Sequence, residues 1–277
     1  MTTEIRQLSI LDVAELLVWA KAEGWNPGID DATPFLAADP SGFFGCFVDG
    51  RMVAGISAVT SGPDFGFIGL YISHPDFRGQ GYGRQVWDAG MAHLGDRTVG
   101  LDGVPAQQEN YRSMGFAAAY RTWRYSGRFL PSNIDPSVSA IGPDLLPAIA
   151  VFDRQHYPGP RPEFLASWLD GSRTVRAIIR NSVVTAYGVL RKCHEGYKIG
   201  PLFAESEDEA SRIFVALCAR SNGEMVAIDV PEPAAGFSAY LDDLAFEKGF
   251  DTTRMYRGPA PDIRLAGVFG VTTLELG

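Results

Sequence analysis

The stretch most able to do chemistry is Ile72-Ser73-His74-Pro75-Asp76-Phe77-Arg78-Gly79-Gln80-Gly81-Tyr82-Gly83. Glycines at 79, 81 and 83 allow a tight turn in which successive N–H groups, from Gly79 through Gln80 and Tyr82 to Arg84, point into one concavity. If the turn opens a helix, the positive end of the helix dipole adds to them. Such a place holds a diphosphate without many lysines, and Arg78 adds a fixed charge at its rim. A P-loop is excluded because Arg84-Gln85 follows where Lys-Ser or Lys-Thr is needed. The dinucleotide fingerprint fails because its third glycine position is Arg84. The pattern Arg-x-x-Gly-x-Gly fits at Arg78, Gly81 and Gly83. A glycine-rich turn with no ligand is the competing reading, since glycine marks turns in general.

The elements around this segment follow from periodicity. Ile5 to Leu8 reads as a strand, and a helix follows with Asp12 in its early turns and Val13, Leu16, Leu17 and Ala20 on one face. Gly24-Trp25-Asn26-Pro27-Gly28 ends it. Two apolar runs around Asp49-Gly50 read as a hairpin. A third strand covers about Phe65 to Ile72, so the glycine turn lies between a strand and a helix carrying Val86, Trp87, Gly90, Met91 and Leu94. A strand at Thr98 to Leu101, a helix over about 106–114 and a strand near Arg121 to Ser126 complete the unit.

Length and composition narrow the class. The chain has 277 residues, 46% of them hydrophobic, and mixed charge, which excludes a disordered tail or a disulfide mini-protein. No apolar run is long enough for a membrane span, and the first residues lack a signal-peptide pattern. The 24 basic and 33 acidic side chains give a net charge of −9 and form no basic stripe, so nucleic acid is a poor partner. A cationic small molecule suits that field better. Cys46, Cys193 and Cys218 are too scattered for a disulfide framework or zinc site and are expected to be reduced packing residues of a cytoplasmic protein. The histidines share no metal-ligand spacing, so no metal is expected.

Residues 128–137 have linker composition, dividing the chain into units 1–127 and 138–277. The second unit repeats the first in outline. Tyr157-Pro158-Gly159-Pro160 answers Trp25-Asn26-Pro27-Gly28, and Ile228-Asp229-Val230-Pro231 answers Leu101-Asp102-Gly103-Val104-Pro105.

Arg78, Gly81 and Gly83, followed by Tyr111-Arg112-Ser113-Met114-Gly115-Phe116, resemble the two signatures of the GCN5-related N-acetyltransferase family over residues 3–126. The whole layout resembles that family's two-domain bacterial subgroup, with a degenerate second copy. Where that copy should carry the loop it has Gly200 to Glu207, without a glycine run and with two acids. The resemblance implies an α/β fold, a mixed α+β sheet flanked by helices, in tandem acyl-CoA N-acyltransferase-type domains. It implies acetyl-CoA as co-substrate, bound by Arg78, Gly79, Gln80, Gly81, Tyr82, Gly83 and Arg84. Backbone amides of Leu70, Tyr71 and Ile72 are implied to hold the thioester carbonyl. Tyr111 takes the place of the general acid that protonates the departing thiolate.

The base is open, because the strand before the loop carries no acid after Asp64. Asp102 at the end of the next strand is the best-placed carboxylate, Asp31 and Asp30 come next, and deprotonation through water is equally allowed. Trp25, Asn26 and Asp31 are candidates for the acceptor pocket. The expected reaction is transfer of acetyl from acetyl-CoA to a primary amine of a small molecule, by direct attack in a ternary complex. Alternatives are an acyl-CoA sensor without catalysis and an acetyltransferase acting on protein lysines or N-termini. The second unit is expected to shape the acceptor site in a chain that is a monomer or a homodimer.

Overall fold

The computed structural model describes residues 2–277. The first unit comprises β1 (Thr3–Gln7), α1 (Ile10–Ala22), α2 (Ala32–Ala38), β2 (Phe43–Val48), β3 (Arg51–Ser61), β4 (Phe65–Ser73), α3 (Tyr82–Leu94), β5 (Thr98–Gly103), α4 (Gln108–Ser113) and β6 (Ala117–Arg128). The second comprises β7 (Val138–Ala140), α5 (Leu146–Asp153), α6 (Pro162–Trp168), β8 (Thr174–Arg180), β9 (Val183–Lys192), β10 (Tyr197–Ala204), α7 (Glu207–Cys218), β11 (Met225–Pro231), α8 (Ala235–Asp243), β12 (Glu247–Arg257) and β13 (Val268–Gly270). Local signals set several of these boundaries. Ser9 and Asp12 form a capping box at the start of α1, and α1 buries the periodic face Val13, Leu16, Leu17 and Ala20. Asp49-Gly50 makes the two-residue β2–β3 turn, and Asn181-Ser182 makes the matching β8–β9 turn, all four residues with positive φ.

One continuous sheet runs β1-β2-β3-β4-β5-β12-β6-β11-β10-β9-β8-β7, with β13 added on β10. Its order exposes an exchange. β12, the last long strand of the second unit, pairs antiparallel with β5 of the first, Leu101 opposite Met255. β6, the last strand of the first unit, pairs antiparallel with β11 of the second, Ile228 opposite Tyr125. The two exchanged strands also pair with each other. The coil at 129–137 is therefore a break in the chain but not in the sheet.

The two units differ where their central strands part. In the second, β10 and β11 pair in parallel from Tyr197 to Ile199. Beyond that point β13 pairs with β10, and the Val271 N–H donates to the Asp229 carbonyl at 2.9 Å. The chain's own strand thus fills that opening. Apolar cores cover both faces: α3 with Val86, Trp87 and Leu94 on one side of the first unit, and α1, α2, α5 and α6 in a shared cluster on the other. No helix among the described residues is long and apolar enough to cross a membrane.

Candidate active site

Strands β4 and β5 pair in parallel from Phe65 opposite Thr98 to Ile68 opposite Leu101, and then diverge. At the same point β4 bulges: its register against β3 steps from Gly69 opposite Ser57 to Ile72 opposite Gly55, so Leu70 and Tyr71 face a single residue. Leu70 has φ +46°. A leucine held there carries on the order of 1–3 kcal/mol of strain, retained only where packing enforces it. Leu70 is 1% exposed, which supplies that packing. The bulge leaves backbone groups outside the β3 ladder beside the opening between β4 and β5.

That opening is a cleft of about 450 Å³, lined by Tyr71, Ile72, Ser73 and Arg78 on one wall and by Val104, Gln107, Asn110 and Tyr111 on the other. At its outer end the loop 78–83 leads directly into α3. Gly79 and Gly81 have φ +75° and +85°, and a Cβ added to either would meet nothing within 4 Å. Their backbone therefore borders open space. Gly81 is the N-cap of α3 and offers no side chain to the first-turn N–H groups. By contrast, Ser206 caps α7 by accepting from the Glu209 N–H, and Glu207, Asp208 and Glu209 fill that first turn with negative charge. Only the first unit thus leaves its central helix terminus free for an anion. Gly83 has a different role: a Cβ there would lie 2.8 Å from Ser73 Oγ, so the glycine lets α3 press against β4.

The side chains of the loop are partly committed. Arg78 Nε donates to the Ser73 carbonyl at 3.1 Å, and its guanidinium pairs with Glu23 at the end of α1. Gln80 Nε2 donates to the Asp76 carbonyl at 3.3 Å, and the Tyr82 ring packs edge-on to Phe77. Arg84 Nε donates to Asp88 one turn on, at 2.8 Å, so the loop's remaining contribution there is the main-chain amide.

Tyr111 stands at the inner end of the cleft, stacked on Trp87 with ring centroids 5.8 Å apart. Burial pushes its phenol above the ordinary tyrosine range, so it holds its proton at neutral pH. Beyond it lies a second cavity of about 50 Å³, bordered by Tyr71 and Tyr111 from the first unit and by Phe250, Thr252, Leu274 and Glu275 from the second. Trp25 also lines it, as the loop position after α1 led us to expect.

Asp102 lines this cavity but is not a free carboxylate. Arg254 of β12 donates to both its oxygens, at 2.8 and 2.9 Å. Burial raises the Asp102 pKa against the pull of that guanidinium. The pair ties the exchanged strand to β5. Asn26 and Asp31 are not brought to the cavity. The Asn26 side chain accepts from the Glu195 N–H at 3.0 Å and donates to its carbonyl at 2.9 Å, joining the units. Asp31 is fully buried, accepting from the Gly28 N–H at 2.7 Å and pairing with Arg173 and Arg191. The resemblance implies that the loop after α1 borders the acceptor pocket, which made both candidates; both instead hold that loop against the second unit. Asp30 likewise accepts from Ser172 Oγ at 2.9 Å.

Phe250, Thr252 and Glu275 were not anticipated. They reach the site only through the strand exchange and the path of residues 271–277, neither of which leaves a local signature. Among the described residues no group of three His, Cys, Asp or Glu side chains is arranged to hold a metal ion.

This geometry defines an acyltransferase: an uncapped helix terminus, parted parallel strands with a bulge, and a protonated tyrosine facing the gap. Family models agree for both units, with the acetyltransferase (GNAT) family matching residues 10–119 and the acetyltransferase (GNAT) domain matching 149–270. The chain belongs to the GCN5-related N-acetyltransferase family of acyl-CoA-dependent acyltransferases, as a tandem of two such units. It is 34% identical over 263 residues to the holothin acyltransferase of a Pseudoalteromonas species, covering 94% of this chain and 89% of that one. Among solved structures, a Pyrococcus horikoshii protein classed with the acetyltransferases superimposes with a TM-score of 0.84 at 19% identity, covering 99% and 96% of the two chains. A tandem GNAT protein from the clavulanic acid biosynthesis pathway does so with a TM-score of 0.62 at 14% identity, covering 94% and 100%. These two likenesses concern the fold.

Proposed function

We propose that the first unit transfers an acetyl group from acetyl-CoA to the primary amine of a small molecule, by direct attack within a ternary complex. The observation that carries this reading is the continuous path from the uncapped α3 terminus, along the cleft beside the β4 bulge, to Tyr111. Amides from Gly79 to Arg84 hold the diphosphate, with Arg78 at the rim. Backbone groups of Leu70, Tyr71 and Ile72 bind the pantetheine arm and polarise the thioester carbonyl. Tyr111 donates its proton to sulfur as the C–S bond breaks. The inner cavity, at about 50 Å³, favours a short acyl group and an amine presented on a compact body.

A small acceptor is supported by two features. Phe250, Leu274 and Glu275 of the second unit border the inner cavity, as a compact acceptor would need. The 34%-identical relative is named as an acyltransferase of holothin. The units 1–127 and 138–277 divide the labour, the first binding acetyl-CoA and the second closing the acceptor side. One chain then supplies what single-domain relatives take from a partner copy. Three free, buried cysteines suit a cytoplasmic setting.

Titration calorimetry of the full chain with CoA tests the first step, and absence of binding at millimolar CoA overturns the reading. Tyr111→Phe should leave CoA binding within threefold and lower kcat by about 100-fold or more, as loss of a general acid does.

A further inference from the structure

The first unit's own strands supply no base, yet the buried carboxylates can be sorted by what they touch. Asp31, Asp39, Asp102, Asp153, Glu209 and Asp229 each pair with an arginine or histidine. Glu275 is 2% exposed and makes no ion pair among the described residues, and its Oε2 accepts no hydrogen bond. Leaving a buried carboxylate oxygen without a partner is costly, and such a group is retained where a ligand or water completes it. Glu275 lines the inner cavity together with Tyr111 and Thr252, and Thr252 Oγ1 is also buried without a partner. Two residues with unanswered polar groups therefore border a space large enough for water or an amino group.

The cations whose charge reaches Glu275 make no ion pair with it. Arg124 is held by both oxygens of Asp229, Lys198 Nζ donates to the Trp25 carbonyl at 3.0 Å, and Arg191 pairs with Asp31 while its Nη2 is buried without a hydrogen-bond partner.

The chain also fixes where this carboxylate sits. After β13, residues 271–277 run across β4 at its bulge. The Glu275 carbonyl accepts from Ser57 Oγ at 3.2 Å, and the Leu276 carbonyl accepts from the Tyr157 hydroxyl at 3.0 Å. Thr273 Oγ1 accepts from the N–H groups of Glu275 and Leu276. A Cβ on Gly69 would overlap the Glu275 main chain, 2.7 Å from its carbonyl carbon, so glycine there admits the tail. Glu275 is thus carried on an anchored segment against the strand whose backbone faces the thioester.

Resting on the acyltransfer reading above, we infer that Glu275 is the general base of the reaction and that its carboxylate, with the Thr252 hydroxyl, forms the receptor for the acceptor's amino group. An amine entering as ammonium first loses one proton to solvent. As its nitrogen bonds to the thioester carbonyl carbon, Glu275 takes the proton that nitrogen sheds. As the C–S bond breaks, Tyr111 gives its proton to sulfur. The proton on Glu275 then passes through water to the Tyr111 phenolate, restoring both groups with one amide and one thiol formed.

The test uses the full chain, acetyl-CoA and a panel of alkyl and aryl primary amines, following free thiol. Glu275→Gln should bind CoA within threefold of the unsubstituted chain and lose kcat by about 100-fold or more. Glu275→Ala should regain rate in proportion to added formate and not to chloride, a response a purely structural side chain would not give. Retention of kcat within threefold by Glu275→Gln overturns the assignment of the base while leaving the acyltransfer reading intact. If Glu275→Gln does not fold, absence of formate rescue in Glu275→Ala overturns it. An unsubstituted chain that binds CoA and acetylates no amine overturns both.

Discussion

Substitution at Gly81 separates ligand binding from folding with unusual clarity. The residue sits at φ +85°, ψ −3°, and a Cβ added there meets nothing within 4 Å. Gly81→Val adds a Cβ that meets nothing in the free protein and carries the strain of a β-branched side chain in the left-handed region, about 1–3 kcal/mol. In a chain of this size that lowers the melting temperature by a few degrees. The diphosphate is affected far more. Either the new side chain stands in the space the ligand needs, or φ relaxes to negative values and turns the Gly81 and Tyr82 amides away. Each charge-assisted hydrogen bond lost is worth about 1.5–3 kcal/mol, so two amount to about 3–6 kcal/mol, at least a 100-fold rise in Kd. Titration calorimetry with CoA reads this directly. Gly50→Ala is the control: it has φ +81°, equally open surroundings, and a place at the tip of the β2–β3 turn. Its melting temperature should fall comparably with no change in Kd. A folded Gly81→Val chain that binds CoA within threefold of the unsubstituted one would refute the argument, as would equal weakening by Gly50→Ala.

Two further predictions concern stability. Arg254→Met strands the Asp102 carboxylate in the interior and should cost about 3–5 kcal/mol by scanning calorimetry, most of it recovered when Asp102→Leu is added. The Arg6 guanidinium, with Ser9 assisting, holds Asp12 at a pKa of about 2 against an ordinary 3.8. A depressed carboxylate stabilises fully above its unfolded pKa and loses that contribution as pH falls through the folded one. Because Arg6 is 38% exposed, solvent screening limits the effect to about 1 kcal/mol. Asp12→Ala should accordingly lower the melting temperature at pH 7 and match the unsubstituted chain near pH 2.

The first unit was legible because its features are local. Alternation fixed the β2–β3 hairpin around Asp49-Gly50, helical spacing fixed α1, and three glycines with Arg78 marked the turn where β4 hands over to α3. Tyr111 was marked by the resemblance of Tyr111-Arg112-Ser113-Met114-Gly115-Phe116 to the family's second signature. The lining of the inner cavity was not legible, for a physical reason. Asp102 carries a base's credentials in sequence, near the end of a strand beside the cleft, yet a guanidinium 152 residues further along the chain takes both its oxygens. Asn26 lies in, and Asp31 follows, a loop that borders the cavity, but of the three candidates only Trp25 lines it; the others meet partners at Glu195, Arg173 and Arg191. Long-range pairings of this kind have no period or spacing to announce them. Glu275 sits in a short apolar tail with no motif.

Strand exchange explains why the second unit is needed although its own opening is filled. β5 has β12 as its outer neighbour, so the sheet of the first unit is closed by a strand from the second. The same strand carries Thr252 to the inner cavity and Arg254 to Asp102. β13 occupies the gap between β10 and β11, the counterpart of the β4–β5 cleft, and the seven residues after it deliver Glu275 to the first unit. Filling one cleft and furnishing the other are consecutive acts of a single segment. The unit whose α7 terminus is closed by Ser206 and three acids thereby supplies a wall of the inner cavity beside Tyr111.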